Sequence, residues 1–520
     1  MKGMSLDHIR KASRGTFYGE DAALDREAEG VVIDSRQVQA GFLYVAMRGE
    51  RVDGHRFIPD VFDRGAAAVL SEKILENPAG PYILVESCPQ ALKDIAEYYR
   101  STLAIPVVGI AGSVGKTSTK EMIAAVLEQK YRVLKTEGNF NNEIGLPLTL
   151  LRIRQEHEAA VVEMGISDFG EMHRLAKMAR PDVCVMTNIG QCHLENLIDR
   201  DGVLRAKSEI FDYLKPDGVV VLNGNDDKLS AIGEVKGVIP TRYFVYEGSA
   251  ELVSDGNCDG RVELVSDGNS GDNTIFAGDK KGRSANNAEK GYRDDAAEKT
   301  SDHTYFVTAD FIENHGVRGM DAVLHFHGAY AEDCRIHEPI PGLHNIYNAC
   351  AAACVGDALG LTHAEICTGI AGAKTIAGRT NLIEADGIVI IDDCYNANPV
   401  SMKASLDVLS QTEGRKIAVL GDMGELGKDE RALHREVGEY AAGKGIDFVF
   451  CTGELSEELA KAASAGCTAQ HCKNRETLLA ALRSCIKKGD TVLVKASHFM
   501  QYSEIVRALQ TLAVKDGGES

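Results

Sequence analysis

The residues best equipped by type and spacing to do chemistry lie in Gly109-Ile-Ala-Gly-Ser-Val-Gly-Lys-Thr-Ser-Thr-Lys-Glu-Met122. Glycines at a strand-to-helix turn let backbone N–H groups close around phosphate oxygens, and the helix N-terminus adds a favourable dipole. Lys116 then reaches the terminal phosphates and the Thr117 hydroxyl sits on Mg²⁺, with Gly112, Ser113, Gly115 and Ser118 completing the cradle. The general P-loop pattern places a glycine five residues before Gly115. Ile110 stands there instead, flanked by Gly109 and Gly112, which points away from ordinary kinases and GTPases toward a variant loop.

A phosphate cradle also needs metal ligands and an acceptor. Glu163 closes the apolar run Ala159-Ala-Val-Val-Glu163, where strand carboxyl ends present ligands in open α/β sheets. A carboxylate there suits Mg²⁺ beside Thr117, although taken alone it reads equally well as a strand-end charge facing water. His193, ending Thr187-Asn-Ile-Gly-Gln-Cys-His193, follows the next strand and offers a second donor to the same crevice; a lone loop histidine usually has no ligand. Lys207, in Arg205-Ala-Lys-Ser-Glu-Ile-Phe211, reads on spacing alone as a helix-surface lysine. Ser35 and Arg36 offer a hydroxyl and a guanidinium to a diphosphate or a uracil edge, the alternative being a plain strand-end turn.

The elements that must position these groups follow from the pattern. At 520 residues the chain has room for about three domains. Residues 1–86 carry short strands and turns, including Gly30-Val-Val-Ile-Asp-Ser-Arg36 and Gly41-Phe-Leu-Tyr-Val-Ala-Met47. Residues 87–360 open on a helical stretch around Leu92–Tyr99 and then alternate helices with apolar runs: Ile105–Ile110, Ala159–Glu163, Asp182–Met186 and Gly218–Leu222. Runs apolar on both faces and separated by helices mark a parallel sheet. The rhythm restarts over 361–520 with Ile388–Asp392, Lys416–Leu420, Phe448–Cys451 and Thr491–Lys495, which predicts a Rossmann-like unit. Between about 247 and 302 the chain turns polar and repeats Glu-Leu-Val-Ser-Asp-Gly-Asn at 251–257 and 263–269. The Asp-Gly turns suit a small hairpin, and the remainder lacks the apolar content to fold alone, so the segment reads as a surface insertion. Calcium binding by its Asp-Gly-Asn repeats is the lesser reading, because the EF-hand spacing is absent.

The net charge of −20 argues against nucleic-acid and anionic-membrane surfaces. The 13 cysteines are odd in number, form no Cys-x-x-Cys, and read as those of a reduced compartment. The N-terminus has no apolar core for a signal peptide and no run is long enough to span a bilayer, so a soluble cytoplasmic protein is expected.

Taken together, these segments resemble the Mur ligase family. The resemblance is carried by Gly109 to Met122, Gly138-Asn-Phe-Asn-Asn-Glu-Ile-Gly-Leu-Pro-Leu-Thr-Leu150, Glu163-Met-Gly165 and Lys207-Ser-Glu-Ile-Phe211. It continues through Pro341-Gly-Leu-His-Asn-Ile-Tyr-Asn348, Gly378-Arg379, Asp392-Asp-Cys-Tyr-Asn-Ala-Asn-Pro399 and Val419-Leu-Gly-Asp-Met-Gly-Glu-Leu-Gly427, in order over nearly the whole chain. The resemblance implies an α/β fold of three domains: an N-terminal UDP-substrate domain, a central P-loop ATPase domain with a parallel-rich sheet, and a C-terminal Rossmann-like domain. It implies a monomer that uses ATP and Mg²⁺ to activate a carboxylate as an acyl phosphate. The substrates implied are UDP-N-acetylmuramoyl-tripeptide and D-alanyl-D-alanine, in peptidoglycan synthesis. By the same resemblance Thr117, Glu163 and His193 bind Mg²⁺ and Lys207, carbamoylated, holds a second ion. Asn345 meets the adenine, Arg379 and Asp393 reach the ATP phosphates and ribose, and Asn141 and Asn142 lie at the reacting centre. Asp34-Ser-Arg36 and Arg48-Gly-Glu-Arg-Val-Asp-Gly-His55 resemble the uridine-binding pattern, with Ser35 and Arg36 on the UDP-substrate. The ligase for the third residue usually carries an Asp-Asn-Pro-Arg tetrapeptide, which is absent here. Near the end, Lys495-Ala-Ser-His-Phe-Met500 replaces the family's Lys-Gly-Ser-Arg-Gly-Met type of loop.

Overall fold

The computed structural model describes residues 1–246, 251–253, 263–265, 305–328 and 331–514. Three sheets follow one another along the chain. The first has five short strands in the order Thr16–Tyr18, Tyr82–Leu84, Ala68–Ser71, Phe42–Val45 and Gly30–Val32; all neighbours are parallel except the first pair.

The second sheet has nine strands. Its parallel part runs Thr241–Val245, Val219–Asn223, Val183–Met186, Val107–Ala111, Ala159–Glu163 and Val133–Lys135. The central members are buried on both faces, which is why they read as continuous apolar runs. Strand Val107–Ala111 lies between Val183–Met186 and Ala159–Glu163, so its two flanking crossovers leave in opposite directions. Ligands enter open α/β sheets at such a switch point. Beyond Thr241–Val245 the sheet continues through Phe306–Asn314 and then turns into an antiparallel meander with Met320–His327 and Glu332–Glu338. The sequence reading missed this meander, although Met320–His327 alternates buried and half-buried residues with the period of a strand.

The third sheet orders its strands Asn381–Ala385, Ile388–Asp392, Thr491–Lys495, Lys416–Gly421, Phe448–Thr452 and Thr468–His471, parallel except for the first pair.

Packing revises the expected 360/361 boundary. Helix His363–Ala371 buries Ile366 and Ile370 in the same apolar cluster as Val126 and Leu127 of the P-loop helix. A Cβ at Gly369 would meet the Val126 backbone at 2.4 Å, so the two helices touch through their main chains. This helix is therefore part of the second unit, and the chain passes to the third sheet only between Ala373 and Asn381. Of the polar insertion, only Glu251–Val253 and Glu263–Val265 are described. They pair antiparallel, one from each copy of the duplication, and the rest of that reading lies outside the described residues. Among the described residues no helix is long and apolar enough to cross a membrane.

Candidate active site

The P-loop strand ends in a turn that only glycine permits at two points. Gly115 has φ 83° and starts helix Lys116–Leu127, and a Cβ on Gly112 would sit 1.9 Å from Thr187 Oγ1. The end of the neighbouring strand braces this loop. Thr187 Oγ1 donates to the Val114 carbonyl at 2.7 Å, and Asn188 both accepts from Val114 N–H and donates to its carbonyl. Lys116 Nζ donates to the Gly112 carbonyl at 2.8 Å, curled over the loop it is placed to serve.

Behind the loop, Thr117 Oγ1 donates to Glu163 Oε2 at 2.9 Å, and Asn141 Nδ2 donates to Glu163 Oε1 at 2.8 Å. Glu163 is thus buried and partnered, not a strand-end charge in water. A hydroxyl beside a carboxylate is a hard oxygen pair that fits Mg²⁺. Asn142 plays a different local part. Its Oδ1 accepts from the N–H groups of Ile144 and Gly145, capping helix Gly145–Leu150, and the residue borders a cavity of about 220 Å³ with Gly165.

Lys207 is the largest departure from its spacing. It lies on the inner face of helix Arg200–Ser208 and is 1 % exposed, so it is no surface lysine. No hydrogen bond or ion pair to its ammonium is found among the described residues. Burial pulls its pKa down to about 8, with the nearby Lys116 charge pushing the same way and Cys192 opposing. His193, with φ 51°, is bonded through Nδ1 to Glu425 Oε2 at 2.6 Å, a residue of the third unit. This contact holds the Glu425 carboxyl below its ordinary value. Glu425 belongs to a quoted motif, but no local signal marks it as the residue that reaches His193.

The third unit closes the cleft from the other side. Arg379 Nη2 reaches Thr117 Oγ1 at 3.4 Å, and its guanidinium lies 4.3 Å from the Tyr395 ring centroid. Its buried Nε has no partner among the described residues. An orphaned guanidinium donor beside a phosphate cradle fits an anion. Asp393 faces a cavity of about 200 Å³ shared with Gly115, Ser118, Asn188, Asn348 and Arg379. Lys495 Nζ pairs with Asp393 Oδ2 at 2.6 Å, because strands Ile388–Asp392 and Thr491–Lys495 are parallel neighbours ending together.

Asn345 is not among the residues facing that cavity. It is buried, its Nδ2 donates to the Pro341 carbonyl, and its Oδ1 accepts from Asn348 Nδ2. Asn348 in turn accepts from Thr119 Oγ1 at 2.7 Å. Asn348, three residues on and one helical turn away, therefore faces the cavity, and Asn345 supports it.

A second cavity, of about 690 Å³, opens between the first and second units. Asp34, Gln37 and Phe42 line one side, and Phe140, Arg152 and Arg154 the other. Ser35 and Arg36 do not line it. Asp34 accepts from the Arg36 N–H in a tight turn, which folds the Arg36 guanidinium back onto the same carboxylate at 2.6 Å. Arg152 and Arg154 were missed because they sit in Leu151-Arg-Ile-Arg154, a run with no motif around it.

Comparison with known proteins finds three consecutive family models. Residues 27–100 match the Mur ligase family catalytic domain, 110–258 the Mur ligase middle domain, and 378–498 the Mur ligase glutamate ligase domain. The UDP-N-acetylmuramoyl-tripeptide–D-alanyl-D-alanine ligase of Bacillus subtilis is 35 % identical, covering 92 % of this chain and 93 % of its own. That of Escherichia coli is 32 % identical over 98 % and 99 %. Among solved structures, MurF from Acinetobacter baumannii superposes with TM-score 0.77 at 27 % identity, covering 98 % of both chains. MurF ligase from Thermotoga maritima in complex with ADP gives 0.72 at 27 %, over 95 % of this chain and 99 % of that one.

Proposed function

The chain belongs to the Mur ligase family, and on that premise we propose that it joins D-alanyl-D-alanine to a UDP-N-acetylmuramoyl-tripeptide with ATP, forming an amide through an acyl phosphate. The substrate pair rests on the near-full-length match to ligases of that name. The reaction class rests on one observation: a buried lysine, Lys207, with no anionic partner among the described residues, close to the P-loop lysine Lys116. A simple phosphotransferase has no use for it.

A carboxylate is a poor electrophile, so the tripeptide's terminal carboxylate must first accept the γ-phosphoryl group. The incoming amine then attacks the acyl carbon and phosphate departs. Both phosphate and carboxylate are negative, and bringing them together requires cations in a dry site. Lys116 and Arg379 supply two of these. Thr117, Glu163, His193 and a carbamate on Lys207 would hold Mg²⁺, which neutralises phosphate charge when bound. The lowered pKa leaves part of Lys207 as a neutral amine, the form that adds CO₂ with loss of one proton to solvent, and the resulting carbamate anion would be stabilised by the nearby Lys116 charge and by the bound cation. Asn141 orients Glu163, while Asn142 shapes the loop beside it. Asp393, held by Lys495 and Ser405, faces the nucleotide cavity with Asn348, and the larger cavity takes the UDP-sugar against Arg152 and Arg154. Arg36 reaches that ligand by leaving Asp34. Arg379–Thr117 and His193–Glu425 join the second and third units over the P-loop, which excludes water from the acyl phosphate. We propose three functional units with the 361 boundary moved to the 373–381 connection.

The test is phosphate release from ATP and Mg²⁺ with two substrate pairs in parallel. The expected result is release only with UDP-tripeptide and D-Ala-D-Ala, with a UDP-pentapeptide by mass. Release only with UDP-dipeptide and a diamino acid would contradict the substrate assignment while leaving the family intact.

A further inference from the structure

At the edge of the nine-stranded sheet, strand Glu332–Glu338 packs against helix His363–Ala371. Glu332 and Cys334, two apart, share one face of the strand. His363 and Cys367, four apart, share one face of the helix. These faces meet. One donor atom each from Glu332, Cys334 and His363 lie within 4.8 Å of one another, and His363 Nδ1 is 2.6 Å from Glu332 Oε2. Cys367 lies one helical turn on from His363, near enough to Cys334 for the two thiols to influence each other, and burial pushes both thiols up. Both cysteines are free thiols.

The surroundings add two features that a chance cluster lacks. The His363 ring is stacked on Phe326, with centroids 3.9 Å apart and planes 17° from parallel, so its plane is fixed. Its other nitrogen, Nε2, faces Asp357 Oδ1 at 3.6 Å. A carboxylate behind the far nitrogen of an imidazole is the usual outer partner of a metal-bound histidine, setting its tautomer and raising its basicity.

We propose that Glu332, Cys334, His363 and Cys367 form a structural binding site for one Zn²⁺ ion. The donor set is two thiolates, one imidazole and one carboxylate, which selects zinc over Mg²⁺ or Ca²⁺. Tetrahedral zinc at bond lengths of about 2.0–2.3 Å sets its donors about 3.3–3.8 Å apart, within the spread the three grouped atoms already have. Binding forms four metal–ligand bonds and releases both thiol protons, with no change of oxidation state. The ion would tie the edge of the nine-stranded sheet to the helix that backs the P-loop helix. A second group, Glu313, His315 and Asp321, contains no thiol and is oxygen-rich, so sulfur spectroscopy separates the two.

The experiment is Co²⁺ titration of the reduced full-length protein, followed by Zn²⁺ displacement and a thermal melt. Expected is one Co²⁺ per chain with thiolate-to-cobalt charge-transfer absorption, displaced by Zn²⁺, and a Tm that Zn²⁺ raises. Cys334→Ser and Cys367→Ser should each lose the charge-transfer band and the Zn²⁺ effect on Tm while keeping Mg²⁺-dependent turnover, which shows that they fold. Absence of the band in the reduced wild type would overturn the proposal, as would its survival in both serine variants. A Cys334–Cys367 disulfide that forms in preference to metal binding under reducing conditions would overturn it too.

Discussion

Lys207 and Lys495 are equally buried, at 1 % and 2 % exposure, and electrostatically opposite. Lys495 sits among anions and carbonyls: Asp393 Oδ2 at 2.6 Å and the Asn396 carbonyl at 3.2 Å, with Asp393 further held by Ser405 and the Thr380 N–H. Lys207 faces Lys116 and Cys192, and burial lowers its pKa to about 8. Burial of a charge is tolerated when the partner is buried with it; without one, the group sheds its proton. Lys495 is one half of a buried ion pair on the wall of the roughly 200 Å³ cavity. Lys207 has no such partner among the described residues, and this difference is what the proposed carbamate would exploit.

Breaking this contrast should produce the largest effect at Lys207. Lys207→Ala is expected to lower kcat by about 10³-fold or more, as when several kcal/mol of charge stabilisation is lost, without a large change in Tm. Short carboxylic acids added to that variant should restore part of the rate. Full activity in Lys207→Ala would end the carbamate account.

Lys495→Ala should behave differently. It strands Asp393 in the interior, with an expected loss of about 3–5 kcal/mol in unfolding free energy. No added carboxylate should rescue it, whereas Asp393→Asn in the same chain should recover part of the stability. Chemical denaturation of the two single variants and the double variant measures this coupling.

Glu338 sharpens the same lesson with the opposite charge. It is buried in strand Glu332–Glu338, its Oε2 has no partner among the described residues, and burial pushes its pKa up to about 8. The folded state therefore holds a proton that the unfolded state has lost, so this group makes stability fall as pH rises from about 4.5 to about 8. Glu338→Gln should remove that slope and raise Tm at about pH 8–9 while changing little at about pH 5. An unchanged melting profile across that range would contradict the assignment.

The smallest effect concerns Asn345. If it holds Asn348 in place, Asn345→Ala costs about 1–3 kcal/mol of stability through the broken Thr119–Asn348–Asn345–Pro341 chain, with a modest rise in KM for ATP. A large KM effect at unchanged Tm would instead support a direct contact between Asn345 and the adenine.

Much of this was legible in the residues alone. The parallel strands announced themselves as apolar runs, and Gly112, Gly115, Lys116 and Thr117 fell at the turn they predicted because strand, loop and helix are local. Glu163 was placed correctly at a strand end. What stayed hidden depends on long-range pairing. Glu425 meets His193 from a distant part of the chain, and Arg152 and Arg154 face the first unit only after folding. The environment of Lys207 was invisible, since helical spacing cannot report which neighbour covers a face. The Arg36–Asp34 pairing was also hidden, because a two-residue turn folds the guanidinium onto the Asp34 carboxylate. The meander 306–338 stayed hidden because it follows the polar segment and its central strand, Met320–His327, alternates buried and half-buried residues instead of forming a continuous apolar run.

The most direct test of the uncompensated lysine is ¹³C NMR of the full-length enzyme in ¹³C-bicarbonate. A single carbamate resonance is expected, present in the wild type, absent in Lys207→Ala, and retained in Lys495→Ala. No carbamate signal in the active wild type, or the same signal surviving in Lys207→Ala, would contradict it.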